Sequence, residues 1–198
     1  MRLAIVLIAL TLEVGSPAFA AQLRGLARWP AGSRIVVWVD PSGAPRGADA
    51  LVTRALDAWS AAASPHLIFN RGTRDTAKLR IHFATAPGVY GETRPDIDPG
   101  TGLIRRAEVV IATGVAGDDP LNQRIVLYLT ALHEVGHAIG MRHTDTFADI
   151  MYSFRRPDDG ERYFGAYRRR LNGVDDIGSE KATGLSADDI AAVRQLYR

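Results

Sequence analysis

Apolar and polar positions change period along the chain in an order that predicts alternating strands and helices. Arg34-Ile35-Val36-Val37-Trp38-Val39-Asp40 is apolar at both parities, the pattern of a central strand covered on both faces. After a Pro- and Gly-rich turn at 41–47, Leu51, Ala55, Trp59 and Ala62 recur at helical spacing as far as Ala63, where Ser64-Pro65 ends the helix. Strands are predicted at His66–Asn70 and Ala77–Phe83; in the second, Leu79, Ile81 and Phe83 alternate with Arg80 and His82. A short strand at Val89–Thr93 is expected within the Gly- and Pro-rich stretch 84–105, and Arg106–Ala112 reads as another. This β-α-β-β order predicts an α/β domain with a twisted, mixed, mostly parallel sheet rather than a helical bundle.

A longer helix should begin at Asp119-Pro120, a capping carboxylate followed by a residue suited to the first turn. Leu121, Ile125, Tyr128, Leu129 and Leu132 give it an apolar face to dock on the sheet. Residues 154–184 are rich in Arg, Asp, Gly and Tyr and show no evident element. A final helix follows, with Ser186 and Asp189 as a capping box and its end near Tyr197.

The chemistry concentrates in His133-Glu134-Val135-Gly136-His137-Ala138-Ile139-Gly140-Met141-Arg142-His143. Residues four apart on a helix lie one above the other on the same face, so His133 and His137 can share one metal ion. Catalytic zinc takes three protein ligands and leaves a fourth position for water. His143, six residues on, cannot lie on that helix face; Gly140 can take positive φ, end the helix and turn His143 back under the metal. Glu134 stands beside the open position as a general base. His66 and His82 are isolated in apolar stretches and read as satisfied core or edge histidines.

On these residues the chain resembles the metzincin metallopeptidases, whose H-E-x-x-H-x-x-G-x-x-H precedes a Met-turn. Asp149-Ile150-Met151-Tyr152-Ser153 fits that turn, with Met151 eight residues past His143. Thr144, Ile-Met-Tyr, Leu185-Ser186-Ala187-Asp188-Asp189-Ile190 and Leu196-Tyr197 are similar to the matrixins within that clan. The resemblance covers about 34–198 and implies an α+β zincin domain with a backing helix, an active-site helix and a C-terminal helix. It implies a zinc endopeptidase acting on protein or peptide substrates, with Met151 as an uncoordinated floor beneath the metal. Matrixins commonly hold a second, structural zinc through histidines in the region matching 84–105. This segment has no histidine, so one catalytic Zn2+ is expected. An edge strand there that pairs with extended substrate is implied at Val89–Thr93; a solvated hairpin is the alternative. Asp96-Ile97-Asp98-Pro99-Gly100 offers the oxygen donors of a Ca2+ loop, or is an ordinary acidic turn. Similarly, the stretch Arg162–Arg170, with four arginines and three aromatics, is either a solvated flap or a wall of the pocket that attracts acidic substrates.

Bulk properties narrow the rest. With 198 residues the chain suits one domain with a substantial core. A net charge of +2, with only Lys78 and Lys181 as lysines, does not indicate nucleic-acid binding. The absence of cysteine excludes disulfides, thiolate ligands and cysteine nucleophiles. Arg2, the apolar run Leu3–Leu12 and Ala18-Phe19-Ala20 form a signal peptide over 1–20, too short and too interrupted at Glu13 for a stable membrane span. Export to the periplasm or medium is expected, with a short leader at 21–33 and one catalytic domain over 34–198, acting as a monomer. Without a cysteine, and with thirteen residues between Ala20 and Arg34, activity directly after leader removal is expected. A hydrolase of non-protein amide bonds such as wall peptides, and a zinc-binding module without catalysis, stand as alternatives; Glu134 speaks against the second.

Overall fold

The computed structural model describes residues 27–85 and 89–198, so the leader expected at 1–20 and its cleavage site lie outside the described residues. In chain order the elements are β1 (Ser33–Val39), α1 (Ala48–Ala63), β2 (Leu67–Arg71), β3 (Leu79–Thr85), β4 (Gly91–Ile97), β5 (Ile104–Thr113), α2 (Pro120–Ala138), α3 (Asp159–Arg168), a single 3-10 turn (Val174–Asp176) and α4 (Ala187–Leu196).

The strands form one sheet in the order β2-β1-β3-β5-β4, parallel except for β4, which runs antiparallel to β5 at the edge. Helix α1 makes the crossover that parallel β1 and β2 require. The link from β2 to β3 spans only 72–78, because Val37 of β1 pairs with Arg71 at the end of β2 and with Leu79 at the start of β3. The two strands share β1 end to end, so the chain crosses it without travelling back along the sheet.

Burial alternates along β1: Ile35, Val37 and Val39 are buried while Val36 and Trp38 are half-buried. The expectation of a strand covered on both faces is therefore corrected. Helices α1 and α2 share the core with Ile35, Val37, Leu79, Ile81, Val109 and Ile111 on one face, and the apolar character of the other is met by local contacts. Trp38 lies edge-on to His82 (centroids 5.6 Å) beneath the Arg74 guanidinium, and His82 Nδ1 is 3.2 Å from Asp40 Oδ2. Trp59, fully buried on α1, donates its indole N–H to the Leu132 carbonyl (2.8 Å) one residue before His133. Truncating it to Ala would cost about 3–5 kcal/mol.

Residues 154–184 are not irregular. Helix α3 occupies their middle, burying Phe164 and Tyr167. The Tyr167 hydroxyl donates to the Ala182 carbonyl (2.5 Å) and accepts from the Gly178 N–H (2.9 Å), fastening the return segment to the helix.

Candidate metal centre and its cleft

Helix α2 starts at Asp119, whose Oδ1 accepts from the N–H groups of Leu121 (2.9 Å) and Asn122 (3.3 Å). At its other end Met141 N–H donates to the Gly136 carbonyl and Gly140 N–H to the His137 carbonyl, both 2.9 Å, with Gly140 at φ +96°. This is the 6→1 and 5→2 pairing of a Schellman ending. It reverses the chain within two residues and brings His143 to the other two histidines. His143 Nε2 lies 3.2 Å from His133 Nε2 and 3.1 Å from His137 Nε2.

The opposite ring nitrogens define the tautomers. His133 Nδ1–H donates to the Ile150 carbonyl (2.6 Å) and His137 Nδ1–H to the Met141 carbonyl (2.9 Å). A carbonyl can only accept, so both Nε2 atoms carry lone pairs directed at one point. Burial lowers the pKa of both rings, that of His133 to about 4 against the pull of the Ile150 carbonyl, so they are neutral near pH 7. Three nitrogens in this arrangement repel one another unless a cation lies between them. Zinc–imidazole bonds of about 2.0–2.1 Å in a tetrahedron put neighbouring nitrogens roughly 3.3–3.4 Å apart, close to the spacing observed. Among the described residues this is the group of three metal-ligating side chains that gathers within 4.8 Å.

Glu134 is 6% exposed and lies outside that group. Burial raises its carboxyl to about 7, while a hydrogen bond from Thr93 draws it down. A cation held by the histidines would draw it down further. Met151 is fully buried under the helix, its sulfur set against the backbone of Gly136. The Met-turn itself is tied at both ends: Thr144 N–H donates to the Met151 carbonyl (2.9 Å), and Asp149 accepts from the hydroxyls of Thr144 (2.9 Å) and Ser186 (2.8 Å).

A cleft of about 450 Å³ opens beside His133 and Glu134, walled by Tyr90, Leu129, Tyr152, Phe154, Tyr163 and Phe164. Tyr90 meets Phe154 and Phe164 edge-on, with centroids 5.7 and 5.1 Å apart. Tyr152 does not reach for the histidines; its hydroxyl donates to Asp159 Oδ2 (3.0 Å). Strand β4 borders the cleft, and a second groove continues past His137 between Ile97 and Met141.

The family model for matrixin matches residues 39–165. The chain belongs to the matrixin family. This matrixin is 28% identical to matrilysin of Homo sapiens over 159 residues, which are 75% of this chain and 50% of that protein. It is 26% identical to metalloendoproteinase 1 of Glycine max over 191 residues, 88% of this chain and 54% of the other. The chain thus spans about half the length of these relatives. Membership of the matrixins implies zinc, and the three histidines are positioned to bind a metal.

Other features of this matrixin differ from, or add to, the sequence expectations. The edge strand expected at Val89–Thr93 runs from Gly91 to Ile97. At the acidic turn, Asp98 accepts from Gly100 N–H, Thr101 N–H and the Thr101 hydroxyl, while Arg105 pairs with Asp96 and Asp98. Those oxygens serve the turn itself. Arginines of the 162–170 stretch are also engaged: Arg168 pairs with Asp119 at the start of α2, and Arg170, just past α3, lies over the Tyr167 ring. Two residues gain roles that the sequence did not suggest. Asp189, expected only as a helix cap, also accepts the Ile150 N–H (2.8 Å), so α4 holds the residue whose carbonyl orients His133. Thr93, 41 residues from Glu134, touches it from β4. No local pattern announces a contact of that range. Among the described residues no helix is long and apolar enough to cross a membrane.

Proposed function

We propose that this chain is a zinc-dependent endopeptidase that cleaves protein or peptide substrates, with His133, His137 and His143 as metal ligands and Glu134 as general base. One observation carries the reading: three convergent imidazole nitrogens stand beside a buried carboxylate that is not one of their set and lines the same cleft. Zinc, when bound, supplies Lewis acidity toward a carbonyl oxygen and toward water. The chain does the rest. Ile150 and Met141 hold two of the rings by their Nδ1–H groups, a second layer of contacts that keeps both tautomers suited to coordination. Glu134 takes a proton from the attacking water and delivers it to the departing amine nitrogen, base first and acid second. Met151 forms the apolar floor below the histidines without coordinating.

Substrate binding follows from the walls. As the edge strand, β4 can add an extended peptide by backbone pairing. The aromatic cleft is suited to the apolar side chain that follows the cleaved bond. In this reading residues 34–198 are a single catalytic unit exported behind the leader at 1–20, consistent with its n-region, apolar run and A-x-A site.

Purified protein is expected to cleave an unstructured protein, to stop when zinc is chelated and to recover when zinc is returned. Hydrolysis of wall peptides with protein left intact would replace the endopeptidase by an amide hydrolase. A zinc-loaded protein that cleaves neither refutes both.

A further inference from the structure

Thr93 is placed where the proposed reaction needs a hydroxyl. Its Oγ1 lies 2.6 Å from Glu134 Oε2 and 2.9 Å from the Glu134 main-chain carbonyl oxygen. A hydroxyl has one proton to donate, and the shorter, charged acceptor takes it; bonds from a hydroxyl to an ionised carboxylate fall at about 2.5–2.7 Å. From the other side the β4 backbone closes in. A Cβ at Gly91 would stand 2.7 Å from Glu134 Cγ and 2.8 Å from Oε1, so only glycine leaves room for the carboxylate there. The head group is therefore clamped, Oε2 on the Thr93 hydroxyl and Oε1 over Gly91. Among the described residues Oε1 accepts no hydrogen bond.

We propose that Thr93 is a positioning residue that pins Oε2 of Glu134 and so makes Oε1 the oxygen that carries the proton. The inference rests on the endopeptidase reading above. In the first half of the cycle the water O–H bond breaks as Oε1–H forms; in the second, Oε1–H breaks as N–H forms on the departing amine. While Glu134 carries the proton its carboxyl is neutral and a weaker acceptor, and the Thr93 hydroxyl can share itself with the main-chain carbonyl 2.9 Å away. The hydroxyl stays partnered in both states with no heavy atom displaced, and the base does not have to be repositioned between its two tasks.

The test compares zinc-loaded wild type, Thr93→Val, Thr93→Ser and Glu134→Gln on one fluorogenic peptide. Valine keeps the shape and loses the donor; serine keeps the donor. For Thr93→Val we expect kcat to fall by about 10–100-fold, with KM within about twofold and zinc content unchanged. Thr93→Ser should return to within about threefold of wild type. As a readout independent of turnover, the Glu134 carboxylate infrared band, taken as each protein minus its Glu134→Gln counterpart, should shift in Thr93→Val and not in Thr93→Ser. Full kcat in the valine variant, an unmoved band, or equal losses in valine and serine variants overturns the proposal. So does a loss explained by zinc content or melting temperature, since that would make the hydroxyl merely structural. An inactive wild type, or Glu134→Gln as active as wild type, sinks the endopeptidase reading instead, and is distinguishable because the infrared comparison does not require turnover.

Discussion

Replacing Gly140 by Ala would test whether the turn that delivers His143 depends on the missing side chain. Two costs can be worked from the geometry. A φ of +96° is a conformation that side-chain-bearing residues resist, at about 1–2 kcal/mol. The new Cβ would also stand 3.0 Å from the carbonyl carbon of Ala27 and closer still to its oxygen. That neighbour is backbone, and it leads directly into two bonds: Arg28 accepts from Ile104 N–H (2.8 Å), and Trp29 donates its indole N–H to Ala138 (2.8 Å). Weakening both adds about 2 kcal/mol at roughly 1 kcal/mol each. The expected total is about 3–4 kcal/mol. Gly102, at φ +71° with nothing within 4 Å, supplies the control: Gly102→Ala carries the backbone strain alone, about 1–2 kcal/mol. Urea unfolding of both metal-free variants measures the difference, provided the slope m is unchanged. A zinc competition titration should show weakened binding in Gly140→Ala only, because His143 arrives through that turn. Equal destabilisation by the two substitutions, or wild-type zinc affinity in Gly140→Ala, would refute the reasoning.

Four further outcomes are expected. Glu134→Gln should keep zinc while hydrolysis falls about 10²–10⁴-fold, read by metal analysis and peptide turnover; retained activity would remove Glu134 as base. Alanine at His133, His137 or His143 should lose metal and activity together, and full zinc content in all three would disprove the ligand set. Asp189→Ala strands the N–H groups of Ile150 and Ser186 and removes one half of the α4 capping box while Ser186 still caps the helix, for about 2–4 kcal/mol, and should weaken zinc binding through His133; a stability loss with unaltered zinc affinity would break that link. Asp159 is held below its ordinary 3.8, first by the Arg155 N–H, so the stability it contributes is present above about pH 4 and lost as pH falls through the lowered value. Melting temperatures of wild type and Asp159→Asn should therefore converge on acidification, and a constant gap from about pH 7 down to pH 2 would contradict this.

The clustering of His133, His137 and His143 is readable from the sequence because its geometry is local: four residues of helix, a glycine and a three-residue return are enough to bring the histidines together. The strands were readable for the same reason, apolar alternation being a property of neighbouring positions. Helix α3 is not legible in the sequence although Tyr163, Phe164 and Tyr167 carry helical spacing, because Gly160, Gly165 and a dense set of charges weaken the pattern. Its stability comes from tertiary bonds, such as Tyr163 O–H to the Asp149 carbonyl (2.9 Å) and Tyr167 O–H to Ala182, which no window of sequence displays. Thr93 and Asp189 belong to the same class. Each acts on a residue dozens of positions away, and only the folded sheet brings β4 over α2. Pro95 is a signal that could have been used, since proline within a strand is tolerated at an edge, where β4 lies.

The edge position of β4 also bears on what else could pair with it. A strand with one open side is a template for any extended chain, including another copy of itself. Here the invitation is brief. Gly91 and Thr93 lie at the cleft, but Pro95 lacks an N–H to continue a ladder, and Glu92, Arg94 and Asp96 put alternating charges along the exposed rim. A like strand approaching in parallel register would set Glu92 on Glu92 and Arg94 on Arg94. The free edge of β4 is short and interrupted, a poor template for the long in-register stacking that a fibre needs.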